Sequence, residues 1–118
     1  MAAKAQSLLG TAFRMGGTGP DEFDNSGFIY YCYKENGVTI PRLTGDMFQA
    51  GTAVEKEDLQ PGDVVFFYVS TEGAAQFAGI YIGDQKFISC NNENSPTKEQ
   101  VLSWPYYTQR YIGARRYS

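Results

Sequence analysis

The half of the chain beyond Leu59 constrains the fold most, because turn signals divide it into the strands of a sheet. Leu59-Gln60-Pro61-Gly62-Asp63 is a turn sequence that feeds the apolar run Val64 to Val69. Ala78 to Ile82 predicts a second strand and Lys86 to Cys90 a third. Gly83-Asp84-Gln85 leaves room only for a tight hairpin between them, so these two strands run antiparallel. A polar loop from Asn91 to Lys98 follows, then strands over Gln100 to Leu102 and Tyr111 to Arg116. The first half is helical. Ala2 to Leu9 closes at Gly10, and Thr44 to Ala50 is stopped by Gly51. Between them, Asp24, Asn25 and Ser26 are N-cap types ahead of a helix over Phe28 to Glu35, which Gly37 ends. Phe28, Ile29, Cys32 and Tyr33 share its core-facing side. Helices first and antiparallel strands afterwards make an α+β domain, N-terminal helices packed on a sheet of roughly five or six strands.

Composition narrows the function classes. At 118 residues with 42% hydrophobic content, the chain suits one domain over 1–118 with one core. A net charge of -3, with no basic cluster beyond Arg115-Arg116, argues against nucleic acid or an anionic membrane as partner. No apolar run approaches the roughly twenty residues of a membrane span. Cys32 and Cys90 are expected to be buried free thiols rather than a bridge. No metal is expected. The chain has no histidine, its two cysteines lie far apart, and Asp21, Glu22 and Asp24 form a solvated acidic loop without calcium-loop spacing. No cofactor is expected either, since the glycines from Gly16 to Phe23 lack the Gly-Lys-Ser/Thr ending of a phosphate loop. Met1-Ala2-Ala3-Lys4 runs straight into a helical pattern without signal-peptide character, which fits either a domain excised from a longer protein or one lacking an export signal.

Several motifs then occur in a telling order: Gly16-Gly17, Phe23-Asp24-Asn25-Ser26-Gly27, Ile40-Pro41-Arg42, Leu59 through Phe67, Gly79-Ile80-Tyr81-Ile82-Gly83, Phe87-Ile88, and Tyr111 to Arg116. Nearly end to end, the chain resembles the NlpC-type cell-wall endopeptidases (the NlpC/P60 family), a bacterial branch of the papain-like peptidases. The resemblance implies their papain-like fold and a cell-envelope or extracellular location. It also implies substrates of the family's kind, peptidoglycan stem peptides or poly-γ-glutamate. The family works with a cysteine, a histidine and a third polar residue. Carried over by position, the cysteine slot is Asn25, the histidine slot Phe77 and the third slot Ser89. A tyrosine before the double glycine corresponds to Phe13, and a glutamine after Leu-Pro-Arg to Met47.

The chemistry left at these positions is thin. A thiolate nucleophile needs a lowered pKa, usually from an imidazole and a helix N-terminus. Cys32 falls seven residues beyond Asn25, about 10 Å along a helix and into the core. Cys90 neighbours Ser89 but points to the opposite face of its strand. Ser26 has only Asp24 as a base, a poor one at an ordinary carboxylate pKa of about 3.9. No catalytic residue is assigned. Asn25 reads equally as an N-cap or as a ligand contact, and Phe77 as a ring that fills the cleft or stacks on a ligand. Phe13, Tyr30, Tyr31, Tyr106 and Tyr107 are further groove candidates, whereas Phe28, Phe66 and Tyr81 read as core.

The resulting expectation is a pseudo-peptidase domain that binds stem peptide or γ-linked polymer without cutting it. Asp24, Asn25, Ser26, Phe13, Arg42, Met47, Phe77 and Ser89 are its candidate contacts. A domain with a closed cleft that serves a neighbouring domain or protein partner is the alternative. A hydrolase of unrecognised mechanism ranks last.

Overall fold

The strands over Val64–Phe67, Phe77–Gly83 and Lys86–Ser89 bury consecutive side chains and so both faces, which means the sheet must be covered on both sides. In the computed structural model, which describes residues 2–92 and 95–117, it is. Helices α1 (Ala2–Ser7), α2 (Asn25–Glu35) and α3 (Thr44–Phe48) precede strands β3 (Thr52–Val54), β4 (Val64–Phe67), β5 (Phe77–Gly83), β6 (Lys86–Ser89), β7 (Lys98–Val101) and β8 (Tyr111–Arg116). Two short strands, β1 (Ala12–Phe13) and β2 (Glu22–Phe23), pair in parallel ahead of α2. A short helix α4 (Pro105–Thr108) lies between β7 and β8. The six strands β3 to β8 form one antiparallel sheet in the order β3-β8-β4-β5-β6-β7.

Val64, Phe66, Ala78, Ile80, Ile88 and Cys90 face a core shared with Phe28, Ile29, Cys32 and Tyr33 of α2. Val65, Phe67, Tyr81 and Phe87 face the other way and pack with Leu102, Tyr107 and Ala114. Phe28, Phe66 and Tyr81 are core residues, in line with the sequence reading. Gly79 is needed where it stands, since a Cβ there would lie 2.3 Å from the Phe87 ring that crosses it.

Asp84 and Gln85, both at positive φ, form the expected hairpin between β5 and β6. The Tyr111–Arg116 strand agrees residue for residue, and other boundaries shift. Helix α2 begins at Asn25, not Phe28, because the Asp24 side chain caps it by accepting from the Gly27 N–H at 2.6 Å. Strand β7 begins at Lys98, earlier than expected. Within the expected 91–98 loop Glu93 and Asn94 lie outside the described residues, as does Met1 at the start of the first helical pattern. Strand β3 and α4 were not expected. The first is a short edge segment with little burial, and the second shows only a proline at its first position. No helix among the described residues is long and apolar enough to cross a membrane.

Candidate functional site

Because Asp24 takes the cap, Asn25 is set in the first turn of α2, where its side chain reaches the sheet. Its Nδ2 donates to the carbonyls of Ala78 (3.0 Å) and Cys90 (2.9 Å), and its Oδ1 accepts from the Ala78 N–H at 2.8 Å. The β5–β6 ladder pairs Ile80 with Ile88, so the next facing pair outward is Ala78 and Cys90. There the carboxamide takes the place of backbone pairing and ties the helix tip to both strands. A simple N-cap role for Asn25 is thereby corrected.

Beside it lies a charged cluster. Arg42 Nη2 contacts Asp24 Oδ2 at 3.0 Å, and its Nη1 donates to Ser26 Oγ at 2.7 Å. The Gly16 N–H also donates to Asp24 Oδ2, at 3.1 Å. Arg42 and Asp24 keep 30% and 18% of their side-chain surface exposed, so the cluster is both held and reachable. The adjoining loop of residues 14–22 borders an open cleft of about 400 Å³, lined by Arg14, the loop glycines, Asp21 and Glu22. The geometry thus gathers Asp24, Asn25, Ser26 and Arg42, with Gly16 as a contributor that the residue types alone did not single out.

The remaining candidates separate from that group. Met47 is fully buried among core side chains and cannot contact a ligand, which corrects its candidacy. Phe13, Tyr30 and Tyr31 pack partly buried against the same core. Phe77 does not fill the space at the tip of α2. Strand alternation sends its ring to the opposite face, where it stacks on Tyr107 with centroids 6.3 Å apart and meets Phe67 at 5.9 Å. Ser89 is fully buried, and its hydroxyl donates to Asn91 Oδ1 at 2.6 Å.

Both cysteines are free and buried. Burial pushes the Cys32 thiol from 9.0 up to about 12, and raises Cys90 as well. Burial likewise moves Tyr111 up to about 12 and raises Tyr33 and Tyr117. Each group holds its proton more tightly folded than unfolded, so the unfolded chain loses protons first on alkalinisation. This stabilisation is complete below the thiol's ordinary 9.0 and drains away as pH rises through about 12. The urea midpoint is therefore expected to stay level near neutrality and to fall above about pH 9. In the same samples, both thiols should resist a disulfide reagent at neutral pH and react once urea unfolds the chain. Rapid modification of the native protein would contradict this burial. Among the described residues, no group of three or more His, Cys, Asp or Glu could hold a metal ion.

The pattern of the NlpC/P60 family matches residues 10–116. The chain belongs to the NlpC/P60 family. A Bacillus cereus gamma-D-glutamyl-L-lysine dipeptidyl-peptidase is 39% identical over 111 residues, covering 93% of this chain and 33% of the relative. The murein DD-endopeptidase MepH of Escherichia coli is 36% identical over 117 residues, covering 96% of this chain and 43% of the relative. The crystal structure of an NlpC/P60 family protein from Bacillus cereus superposes with a TM-score of 0.91 at 36% identity, covering 99% of this chain and 40% of that one. The chain spans less than half the length of these relatives. The expected α+β, papain-like NlpC/P60 fold is the fold observed. Within this NlpC/P60 domain, the helix tip that the resemblance equates with the nucleophile carries a carboxamide bonded to the sheet.

Proposed function

We propose that this NlpC/P60 domain holds a peptidoglycan stem peptide or a γ-linked glutamyl chain at the cell envelope without cutting it. The observation that carries the reading is the commitment of Asn25. Both polar atoms of its side chain are engaged by Ala78 and Cys90, and the chain has no histidine to activate any other group. Attack on an amide needs an activated nucleophile and donors aimed at the charge that develops. A site lacking the first can spend its binding energy only on the ground state.

The Asp24–Arg42–Ser26 cluster supports the binding half of the reading. It offers a part-exposed guanidinium and carboxylate, and Gly16, which donates to Asp24, lines the open cleft next to them, a set that suits a ligand carrying carboxylates and amides. The names of the Bacillus cereus and Escherichia coli relatives refer to a γ-D-glutamyl linkage and to murein, which favours the same ligand class.

Calorimetry with L-alanyl-γ-D-glutamyl-L-lysine and with poly-γ-glutamate tests the reading, with mass spectrometry of the same mixtures for products. Saturable binding without product is expected for at least one. Arg42→Ala should weaken it about ten-fold or more, the effect of losing a charge-assisted hydrogen bond. Turnover that vanishes in Asn25→Ala or Ser26→Ala would overturn the inactive half, and no binding to either ligand would overturn the other half.

A further inference from the structure

On the sheet face away from α2, a smaller pocket of about 180 Å³ opens between Phe77, Val69, Tyr106, Tyr107 and Asn91. It begins one residue from each strand position that Asn25 grips, since Phe77 precedes Ala78 and Asn91 follows Cys90. The volume is below the roughly 300–1,000 Å³ of whole-ligand pockets, so it suits one ring rather than a peptide segment. Its apolar wall is aromatic. Tyr107 and Phe77 stack near-parallel, and Tyr106, 51% exposed, meets Tyr107 edge-on at 5.1 Å. Arg110 lies 3.9 Å from the Tyr106 ring centre and steadies that ring. Val69, which borders the pocket, is also about half exposed.

The wall that Asn91 contributes is polar and fixed. Asn91 is held by the buried Ser89 hydroxyl at 2.6 Å and by a hydrogen bond with Tyr107. A carboxamide offers donors and acceptors beyond those two contacts. An aliphatic or phenyl side chain would cover that wall without satisfying it, at a desolvation cost. A pyranose suits both walls. Its C–H face carries slight positive charge and lies against the negative face of an aromatic ring, while its hydroxyl and amide edge pairs with the carboxamide.

We propose that this pocket is a subsite for one pyranose ring, with Tyr106 as stacking platform and Asn91 as the hydroxyl-reading group. Taken with the function proposed above, on which this part rests, it selects stem peptide still attached to its amino sugar over free peptide or polyglutamate. The peptide would lie by Asp24 and Arg42 and the sugar by Tyr106.

Two measurements separate this inference from the reading beneath it. Amide NMR spectra titrated with N-acetylglucosamine alone are expected to show saturable shifts around residues 68–69, 91 and 106–107. Those shifts should vanish in Tyr106→Ala and persist in Tyr106→Phe, with the dispersion of the same spectra reporting the fold. Calorimetry then compares L-alanyl-γ-D-glutamyl-L-lysine with the same peptide carrying N-acetylmuramic acid. The sugar should tighten binding roughly ten-fold, the size expected of one aromatic stacking contact, and Tyr106→Ala should erase that gain alone. Absent shifts, or equal affinity for the two peptides, would overturn the subsite while leaving peptide binding standing. Failure of both peptides to bind would overturn the sugar's selective role, and if poly-γ-glutamate also failed to bind, the underlying reading would fall with it.

Discussion

Replacing Asn25 by alanine is expected to cost about 3 kcal/mol or more of folding stability, read as a lower urea midpoint at unchanged slope. The carboxamide makes three hydrogen bonds, to the Ala78 N–H and to the carbonyls of Ala78 and Cys90. A buried backbone group left without a partner costs about 1–3 kcal/mol, and alanine would strand all of these at once. Asn25→Asp should be at least as harmful, because a carboxylate keeps the acceptor and sets negative charge against two carbonyl oxygens. Asn25→Cys also loses the staple, so a Phe77→His, Asn25→Cys pair starts from a weakened scaffold as well as an unlearned chemistry. The result bears on function. A ligand-contact role predicts lost binding with stability intact, whereas the staple predicts lost stability first. An Asn25→Ala protein as stable as the parent would remove the structural role assigned to this side chain.

Gly27→Ala is expected to destabilise the domain by about 3 kcal/mol or more, although alanine is the better helix former by roughly 1 kcal/mol. The clash decides the sign. A Cβ at Gly27 would lie 2.0 Å from the Gly17 carbonyl oxygen and 2.8 Å from Asp24 Oδ1. The first of these is backbone, anchored because that carbonyl accepts from the Asp24 N–H at 3.1 Å. Relief means moving the glycine loop off the helix start, which breaks the Asp24 cap and shifts Arg42 with it. Thermal melting reads the stability change, and calorimetry with the tripeptide reads the accompanying loss of affinity. A variant that melts higher than the parent would show that propensity outweighs contact, and would refute the close approach of loop and helix.

Much of the architecture was legible because it depends on short-range chemistry. The Pro61-Gly62 turn, the Gly83–Gln85 hairpin and the closing strand rest on local conformational preference and period-two burial, and each appears as expected. Edges carried less signal. Strand β3 is mostly exposed and α4 spans four residues, so neither has a periodic stripe to detect. The start of α2 was misplaced because Asp24, Asn25 and Ser26 are equivalent as cap types, and only the Asp24 contact with the Gly27 N–H separates them.

The candidate site was legible in part. Phe23-Asp24-Asn25-Ser26-Gly27 and Ile40-Pro41-Arg42 stand out through the family resemblance, and the fold brings Asp24, Ser26 and Arg42 into one cluster. Met47 drew attention by alignment position alone, and burial withdraws it. Asn91 drew none, because nothing in Ser89-Cys90-Asn91-Asn92 announces that one carboxamide will be clamped by Ser89 and Tyr107.

By itself, the sequence determined the succession of strands after Leu59, the helices of the first half, membership of a peptidase-like fold, and the absence of any imidazole. Those properties follow from residue identity and near-neighbour spacing. Only the tertiary structure decided that Asn25 would bind the sheet, that Phe77 would leave the helix tip for the far face, and that residues 67–69, 77, 91 and 106–107 would enclose one pocket. Such choices depend on which backbone groups lie unpaired at a strand end, and on which rings meet across tens of residues. A linear pattern does not encode either until the chain has packed.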